Sequence, residues 1–400
     1  MIYQLFALLA LLAIYHVHSF VPAQSDFGIQ QQHRFARGSM RMAVDPEHDI
    51  LVRAARGEKT ERTPVWLMRQ AGRYMADFRK YSDKLPFRER SETPEIATEL
   101  SLQCWRAYGM DGVIMFSDIL TPLPGFGIEW DVVKGKGPQI KDPIRTKAQV
   151  EALTSLGGGA EIEATLGFVG ETLRHLRAET EGKTSLLGFI GAPWTLAAYA
   201  TEGGSSKHCM VIKQMMMKEP ELFHTYLGKL AEDMGNYACY QIENGAQVIQ
   251  VFESWAHQLS PFFFEHFAKP YAQKTMETIK AKHPDVPVIY FANGGSSYLE
   301  LQKDMKSDML CVDWAVDMAQ ARRTLGPDTP ISGNIDPMVL LGTEADIRRA
   351  VRDCVAGAGG PGNRHVLNLG HGVVQQTPEA AVATLVDAAK ALRAEEGALA

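Results

Sequence analysis

The 400-residue sequence has few cysteines, and none of them stands in a pattern that would bind a metal. There is no CxxC pair, and no cysteine sits beside a histidine at metal-ligand spacing. An odd, scattered set is typical of buried thiols in a reducing compartment, so we predict no metal site and no disulfide framework. The five are Cys104, Cys209, Cys239, Cys311 and Cys354.

The sequence also lacks the basic balance of a nucleic-acid-binding protein. Its net charge is −6, and 22% of its residues are charged. A general nucleic-acid binder is normally basic, so we predict no nucleic-acid partner. An anionic ligand would therefore be held by local arginines and not by a basic surface.

Several common catalytic motifs are absent: the P-loop, GxSxG and HExxH. The sequence thus gives no support to a nucleotide-phosphate site, a serine hydrolase or a zinc protease. No Pro/Gly/Ser-rich linker divides the chain after Ala43, so we expect residues 43–400 to form one domain.

The first 42 residues differ from the rest in composition. Residues 1–20 contain no charged side chain, and Leu5 to Ile14 is an apolar run suited to a signal segment but short for a membrane span. The next stretch is rich in arginine and poor in acids, like a transit peptide. We predict a bipartite presequence over 1–42 that directs the protein to the plastid of an alga with a complex plastid, with no stable membrane insertion after processing. Secretion is the alternative.

Eight short apolar runs alternate with segments of helical periodicity in the remaining chain. Near-continuous apolar runs of this length are typical of strands buried on both faces of a parallel sheet. They predict an α/β fold with a single (β/α)8 TIM barrel. A doubly wound open sheet is the alternative, but no GxGxxG follows the first run. The runs are 64–68, 112–118, 186–193, 248–254, 287–294, 309–316, 330–336 and 365–372.

Residues able to contact a ligand stand at the end of every run. Barrel enzymes place their active sites at the carboxyl ends of the strands. One such residue would be explained as a helix cap, but eight occupied ends predict a site. They include Arg69, Asp118, Trp194, Glu253, Ser254, Asn293, Asp313, Asn334, Asp336 and His371.

The segment RQAGRY, residues 69–74, places two arginines where no acid occurs between Glu61 and Asp77. If the chain became helical after Arg69, Arg69 and Arg73 would share one helix face. Guanidinium groups suit carboxylates and phosphates and stay charged at any relevant pH. Spacing alone leaves an anion site and a pair of salt bridges equally open.

Asp118, Tyr199, Ser254 and His371 each allow two interpretations. A carboxylate at Asp118, after an apolar run, must be paired, protonated or catalytic, and a helix cap or arginine partner is the alternative. Tyr199 would wall a flat aromatic ligand or pack in the core. Ser254 and His371 follow later runs, and a lone histidine is more often a structural hydrogen bonder.

Five segments, in order, resemble the uroporphyrinogen decarboxylase family: PVWLMRQAGRYM, MFSDIL, GAPWTLAAY, VFESWA and LNLGHGV. The likeness extends over nearly all of residues 46–396. It implies a (β/α)8 barrel that forms homodimers and uses no metal or organic cofactor. It also implies conversion of the four acetate side chains of uroporphyrinogen III into methyl groups, which gives coproporphyrinogen III in haem and chlorophyll synthesis.

The resemblance implies roles for particular residues, taken motif by motif. Arg69 and Arg73, with the backbone between them, would bind substrate carboxylates, and Asp118 would stabilise the transition state. Arg69 or a water held by the arginines would deliver the proton. The implied substrate contacts are Arg69, Gln70, Ala71, Gly72, Arg73, Phe87, Ser117, Asp118, Tyr199, Phe252, Ser254 and His371.

Two alternative functions are a metal-dependent methyltransferase and a non-catalytic tetrapyrrole carrier. Zinc- and corrinoid-dependent methyltransferases of the wider superfamily need a His/Cys ligand set that the sequence lacks. A non-catalytic tetrapyrrole carrier would need the arginines but not Asp118, so Asp118 favours an enzyme.

Overall fold

Seven parallel strands form one continuous sheet in the computed structural model, which describes residues 49–133 and 135–394. The strand order is β1-β4-β5-β6-β7-β8-β9, and every neighbouring pair is parallel. The expected presequence, residues 1–42, lies outside the described residues. The strands are β1 Gly112–Ile114, β4 Ser185–Gly191, β5 Val248–Glu253, β6 Val288–Ala292, β7 Met309–Cys311, β8 Ile331–Ile335 and β9 His365–Leu369.

The first predicted strand, 64–68, lies between the two edges of this sheet. On one side the Leu367 N–H donates to the Pro64 carbonyl at 2.8 Å, and Val65 pairs with Leu367 as a parallel bridge. On the other side the Asp111 N–H donates to the Val65 carbonyl at 2.9 Å. The segment therefore joins β9 to β1 and supplies the eighth position of the barrel. Its hydrogen bonding is sparser than that of the strand we predicted.

Residues at the ends of several predicted strands leave the sheet earlier than expected. β1 ends at Ile114, and the Phe116 N–H bonds to the Ser101 hydroxyl at 2.7 Å instead of a neighbouring strand. A separate antiparallel hairpin, β2 Trp130–Val133 with β3 Gly137–Ile140, was not predicted. It lies in the connection between β1 and β4.

Helices connect the strands and cover the sheet. Two consecutive helices, Met210–Lys218 and Pro220–Glu243, are separated at Pro220. The helices are α1 Ile50–Ala55, α2 Ala76–Ser82, α3 Phe87–Glu92, α4 Pro94–Tyr108, α5 Lys147–Glu151, α6 Gly159–Thr180, α7 Pro193–Glu202, α8 Met210–Lys218, α9 Pro220–Glu243, α10 Pro261–Phe263, α11 Lys269–Lys282, α12 Met318–Leu325, α13 Glu344–Gly357 and α14 Glu379–Ala391, with a π-helical turn at Phe264–Ala268 and 3-10 turns at Leu123–Phe126, Ala256–Gln258, Gly295–Gln302 and Pro337–Leu341.

Side chains cap several of the helix starts. The Ser260 hydroxyl accepts the Phe263 N–H at 3.3 Å, and Thr343 and Asp346 form a reciprocal capping box. α14 begins at Glu379, with Pro378 in the cap position.

All seven strands of the main sheet are buried along their whole length. This is the pattern expected of a parallel barrel, whose interior is filled by side chains and whose outer face is covered by helices. Trp194 is fully buried, which confirms the core interpretation for that residue. In the part of the chain that the structure describes, no helix is both long and apolar enough to cross a membrane.

Candidate active site

The segment from Leu67 to Arg73 is a turn and not the start of a helix. Arg69 has a left-handed backbone, with φ 58°, and α2 begins only at Ala76. The expectation that Arg69 and Arg73 share a helix face is therefore wrong. The turn instead places the two guanidinium groups on an irregular loop beyond the end of the first barrel segment.

Gln70 holds this turn against the barrel. Its buried side-chain oxygen accepts the Leu67 N–H at 3.1 Å, and its amide donates to the Gly112 carbonyl at 3.1 Å. The Gln70 side chain thus belongs to the scaffold. Only the backbone of residues 70–72 is left to face a ligand, as the resemblance implied for this stretch.

Gly372 fixes where the Arg69 side chain lies. A Cβ at Gly372 would stand 2.3 Å from Arg69 Cδ and 2.7 Å from Arg69 Cγ. Only a glycine at this position lets the arginine stem run across the backbone that follows β9. The close approach explains one of the two glycines that flank His371, and it brings Arg69 and His371 together.

Asp118 occupies a bend at the carboxyl end of β1. One carboxylate oxygen accepts the Leu120 N–H at 2.9 Å, and the Asp118 N–H donates to the Thr121 hydroxyl at 3.2 Å. Ser117 shares the same anchor, because its hydroxyl lies 2.8 Å from that of Thr121. Thr121, which sequence reasoning did not single out, therefore sets the geometry of both predicted residues.

Burial raises the pKa of the Asp118 carboxyl, while the Leu120 N–H and the charge of Arg69 act in the opposite direction. Arg69 and Asp118 are near enough to influence each other, but they do not form an ion pair. The helix-cap alternative for Asp118 thus explains one contact, with the Leu120 N–H, and the salt-bridge alternative explains none. The other carboxylate oxygen has no partner among the described residues.

Arg69 and Arg73 have no carboxylate or carbonyl partner for their guanidinium groups within residues 49–133 and 135–394. The salt-bridge interpretation that spacing left open is not supported. Two permanent cations without counter-ions, of which Arg69 lies near the unpaired Asp118 carboxylate, are an arrangement suited to a ligand carrying several carboxylates.

Tyr199 stands near both charged groups. Its pKa is raised by burial, with the Asp118 charge adding to the shift and the Arg69 charge opposing it. The ring packs edge-to-face on Trp255 at 5.0 Å, which holds the phenol in place. Tyr199 is half-buried, so part of its side chain remains accessible to solvent.

His371 is a neutral imidazole in this site. Burial is the main reason that its pKa is lowered to about 4, and the Arg69 charge lowers the pKa further. Its Nδ1 accepts the Gly372 N–H at 2.7 Å, which leaves the proton on Nε2. The free Nε2–H is therefore a hydrogen-bond donor at ordinary pH.

The remaining predicted residues occupy two sides of the cleft. Phe252 lies in an edge-to-face series between Phe189 and Phe291, at 5.8 and 6.2 Å. Ser254 is half-buried beyond β5, and its carbonyl accepts the Asn293 side-chain amide at 3.0 Å. Phe87 contacts Phe116, the residue before Ser117, at 5.5 Å.

Sequence reasoning missed two residues that matter to the electrostatics. Arg90, buried in α3, lies close enough to Arg73 for the two charges to repel. His257 contributes to the lowered pKa of His371. Arg90, three residues after Phe87 in LPFRERSE, could not be distinguished by its sequence from Arg88, which pairs with Glu92.

No group of three metal-ligating side chains occurs among the described residues, and all five cysteines are buried and free. The fold and the site together define a (β/α)8 barrel in which unpaired arginines and one unpaired aspartate follow the carboxyl ends of the strands.

A model of the uroporphyrinogen decarboxylase (URO-D) family matches residues 46–392, and the chain belongs to this family. It is 53% identical over 331 residues to the uroporphyrinogen decarboxylase of a Picosynechococcus species, covering 82% of this chain and 93% of the relative. It is 50% identical over 352 residues to that of Nostoc punctiforme, covering 88% and 98%.

A solved structure supports the barrel. A methyltransferase from Methanosarcina mazei superposes with a TM-score of 0.72 at 20% identity, covering 85% of this chain and 97% of that one. At 20% identity this similarity supports the fold and carries no information about function.

Proposed function

We propose that this chain is an enzyme that decarboxylates uroporphyrinogen III. It removes the four acetate carboxyl groups as CO2 and gives coproporphyrinogen III for tetrapyrrole biosynthesis, without a cofactor. The observation that carries the proposal is the cleft of unpaired guanidinium groups around Asp118, in a chain about 50% identical to uroporphyrinogen decarboxylases. A substrate with eight carboxylates supplies the counter-charge that these arginines lack.

The substrate ring itself serves as the electron sink. Protonation of the ring carbon next to the one that carries the acetate places a positive charge on the pyrrole nitrogen, conjugated with the acetate methylene carbon. The acetate C–C bond then breaks, CO2 leaves, and its electron pair neutralises the ring. A second proton on the exocyclic carbon completes the methyl group. Loss of the first proton from the ring carbon then restores the aromatic pyrrole, so each cycle takes up one proton net.

Asp118 is the group proposed to stabilise the cationic intermediate. Its second carboxylate oxygen has no described partner, and the Leu120 N–H and Thr121 hydroxyl hold the bend in place before substrate arrives. A preorganised charge of this kind is worth ~3 kcal/mol or more in the transition state. The carboxylate must be ionised to act, so its raised pKa sets the acidic limit of activity.

The proton donor is proposed to be a water held by Arg69 and Arg73. A guanidinium has a pKa far above neutrality and is a poor acid. It does, however, polarise a bound water and lower the energy of the hydroxide left behind. His371, which is neutral, and Tyr199 are proposed to donate hydrogen bonds to substrate carboxylates.

Anaerobic incubation with uroporphyrinogen III tests the activity. We expect stepwise appearance of the heptacarboxyl, hexacarboxyl and pentacarboxyl intermediates, followed by coproporphyrinogen III, with one CO2 released at each step. An intact chain that binds uroporphyrinogen III but gives no heptacarboxyl product would be a carrier and not a decarboxylase.

We also propose that the enzyme is a homodimer. Large apolar side chains are exposed just beyond the carboxyl ends of β7 and β8: Trp314 at 52%, Met338 at 47% and Leu341 at 49%. Grouped apolar exposure of this kind supports a protein interface. Sedimentation equilibrium should give twice the 44.2 kDa chain mass, and Trp314→Ser should weaken association. A monomer at micromolar concentration would contradict this proposal.

Plastid delivery is proposed from the composition of residues 1–42, with 43–400 as the catalytic domain. A reporter fused behind residues 1–45 should enter the plastid of an alga with a complex plastid. Release of the reporter into the medium would favour the secretory alternative.

A further inference from the structure

Arg90, in α3, lies inside a cage of aromatic rings. Its guanidinium carbon is 5.5 Å from the ring centre of Phe78 and 5.6 Å from those of Phe87 and Phe116. The residue is only 8% exposed. Three rings within cation–π distance fix the orientation of a side chain that is otherwise flexible.

The hydrogen bonds of Arg90 do not account for its charge. Its Nε donates to the Leu85 carbonyl at 3.1 Å, and no carboxylate in the described parts of the chain pairs with it. Neighbouring arginines are satisfied differently. Arg79 donates to two backbone carbonyls, at 2.8 and 2.9 Å, and Arg88 pairs with Glu92. Arg90 is therefore the arginine of this region that is buried without a counter-ion.

The cage places Arg90 at the candidate active site. Phe116 directly precedes Ser117 and Asp118, and Phe87 is itself an expected substrate contact. Burial is the main reason that the pKa of Arg90 is lowered, and the charge of Arg73 lowers the pKa further. Two guanidinium groups that repel each other at the edge of a cleft are stabilised when an anion binds between them.

We propose that Arg90 is a further substrate-binding residue, which grips a carboxylate of the tetrapyrrole together with Arg73. The proposal rests on the proposed function, because uroporphyrinogen III is the ligand that brings the carboxylates. Two kinds of carboxylate are available on that ligand: the four acetates that leave and the four carboxylates that remain on the product. A retained carboxylate would anchor every intermediate in turn.

Two substitutions separate charge from packing. Arg90→Met keeps an apolar stem against the three rings but removes the charge, whereas Arg90→Lys keeps the charge and weakens the stacking. Arg352→Met, at an exposed arginine of α13, is the control for loss of one positive charge. Thermal unfolding of each variant reports whether the fold is retained.

Steady-state kinetics with uroporphyrinogen III give the first readout. A lost charge-assisted hydrogen bond corresponds to roughly a 10- to 100-fold change in affinity. We expect Arg90→Met to raise KM by about that factor with kcat changed much less, Arg90→Lys to fall between Arg90→Met and wild type, and Arg352→Met to match wild type. If Arg90→Met has wild-type KM, or if Arg90→Lys is as impaired as Arg90→Met, the positive charge of residue 90 does not bind the substrate and the proposal is overturned.

Inhibition by coproporphyrinogen III distinguishes the two carboxylate sources. If Arg90 grips a retained carboxylate, product inhibition weakens in Arg90→Met by the same factor as substrate binding. If it grips an acetate, product inhibition is unchanged. Equilibrium binding of uroporphyrinogen III under anaerobic conditions keeps this test separate from catalysis. Wild-type protein that binds without turnover would refute the decarboxylase activity and still allow the Arg90 comparison.

Discussion

The two ends of the barrel differ in whether their charged side chains are paired. At the amino end, Arg62 grips both carboxylate oxygens of Asp111, at 2.6 and 2.7 Å, and Asp111 also accepts the Val65 N–H at 2.8 Å. Lys280 pairs with Asp308 at 2.9 Å in the same region. Each of these four charged side chains has a partner supplied by the fold.

At the carboxyl end the charges are left without partners. Arg69, Arg73 and Arg90 have no carboxylate among the described residues, and Asp118 has no cation in contact. Arg69 and Arg73 are exposed, whereas Arg90 is buried. Because a desolvated charge without a partner destabilises a fold, the unpaired state of Arg90 is the more informative. We therefore propose that the paired amino-end charges stabilise the barrel and that the unpaired carboxyl-end charges bind the substrate.

The largest effect is expected from Asp118→Asn. The amide still accepts the Leu120 N–H, so the bend and the fold are retained. Without the negative charge the cationic intermediate loses its main stabiliser, and kcat should fall about 1,000-fold. Anaerobic turnover and a thermal melt of the same sample measure both properties. Turnover within tenfold of wild type would remove Asp118 from the mechanism.

Asp111→Asn is the matched change at the amino end. It leaves Arg62 largely buried without a counter-charge, so the free energy of unfolding should fall by about 3 kcal/mol. Urea denaturation measures this loss. The kcat/KM of the folded variant should stay near the wild-type value, and a large loss of kcat/KM would break the division between the two ends.

Glu253, the last residue of β5, gives a pH-dependent test at the carboxyl end. One oxygen accepts the Thr195 N–H at 3.0 Å, the other has no described partner, and burial raises the pKa of Glu253 to about 8. The folded protein then keeps a proton that the unfolded chain releases near its ordinary pKa of 4.5.

Stability from Glu253 is thus fully present below about pH 4.5 and is lost as pH rises toward 8. The expected slope approaches ~1.4 kcal/mol per pH unit. Glu253→Gln mimics the protonated form and should flatten the dependence in urea titrations from pH 5 to 8. A wild-type protein whose stability does not fall in this range would show that Glu253 is ionised in the folded state.

The smallest effect is expected from His371→Gln. Because the pKa of His371 is about 4, the residue stays a neutral donor across the working range. The substitution should lower kcat/KM by about two- to tenfold, as for one neutral hydrogen bond, without changing the shape of the pH profile. A wild-type limb near pH 6.5 that disappears in the variant would mean that His371 titrates during catalysis.

The sequence predicts the barrel well because strands buried on both faces of a parallel sheet have nearly continuous apolar sequences. It also locates Asp118 and His371, since residues that end such runs collect at one rim of the barrel. The shape of the turn at Arg69 could not be predicted from the sequence. That turn depends on Gln70 bonding to the Gly112 carbonyl and on the space left by Gly372, contacts with distant parts of the chain.

Arg90 shows the same limit more plainly. Its cage joins Phe78, Phe87 and Phe116, which come from three separate segments. A local pattern cannot distinguish Arg90 from Arg88, which pairs with Glu92 and is an ordinary helix-surface residue. The absence of a counter-ion, which makes Arg90 a candidate ligand group, becomes visible only when all neighbours are known.

The most direct test of the account is a crystal structure of the enzyme with coproporphyrinogen III bound under anaerobic conditions. The account predicts the Asp118 carboxylate within about 2.7–3.1 Å of the pyrrole nitrogens, with Arg69 and Arg73 contacting side-chain carboxylates of the macrocycle. A macrocycle bound away from Asp118, or an Asp118 that closes an ion pair with Arg69 in the complex, would contradict it.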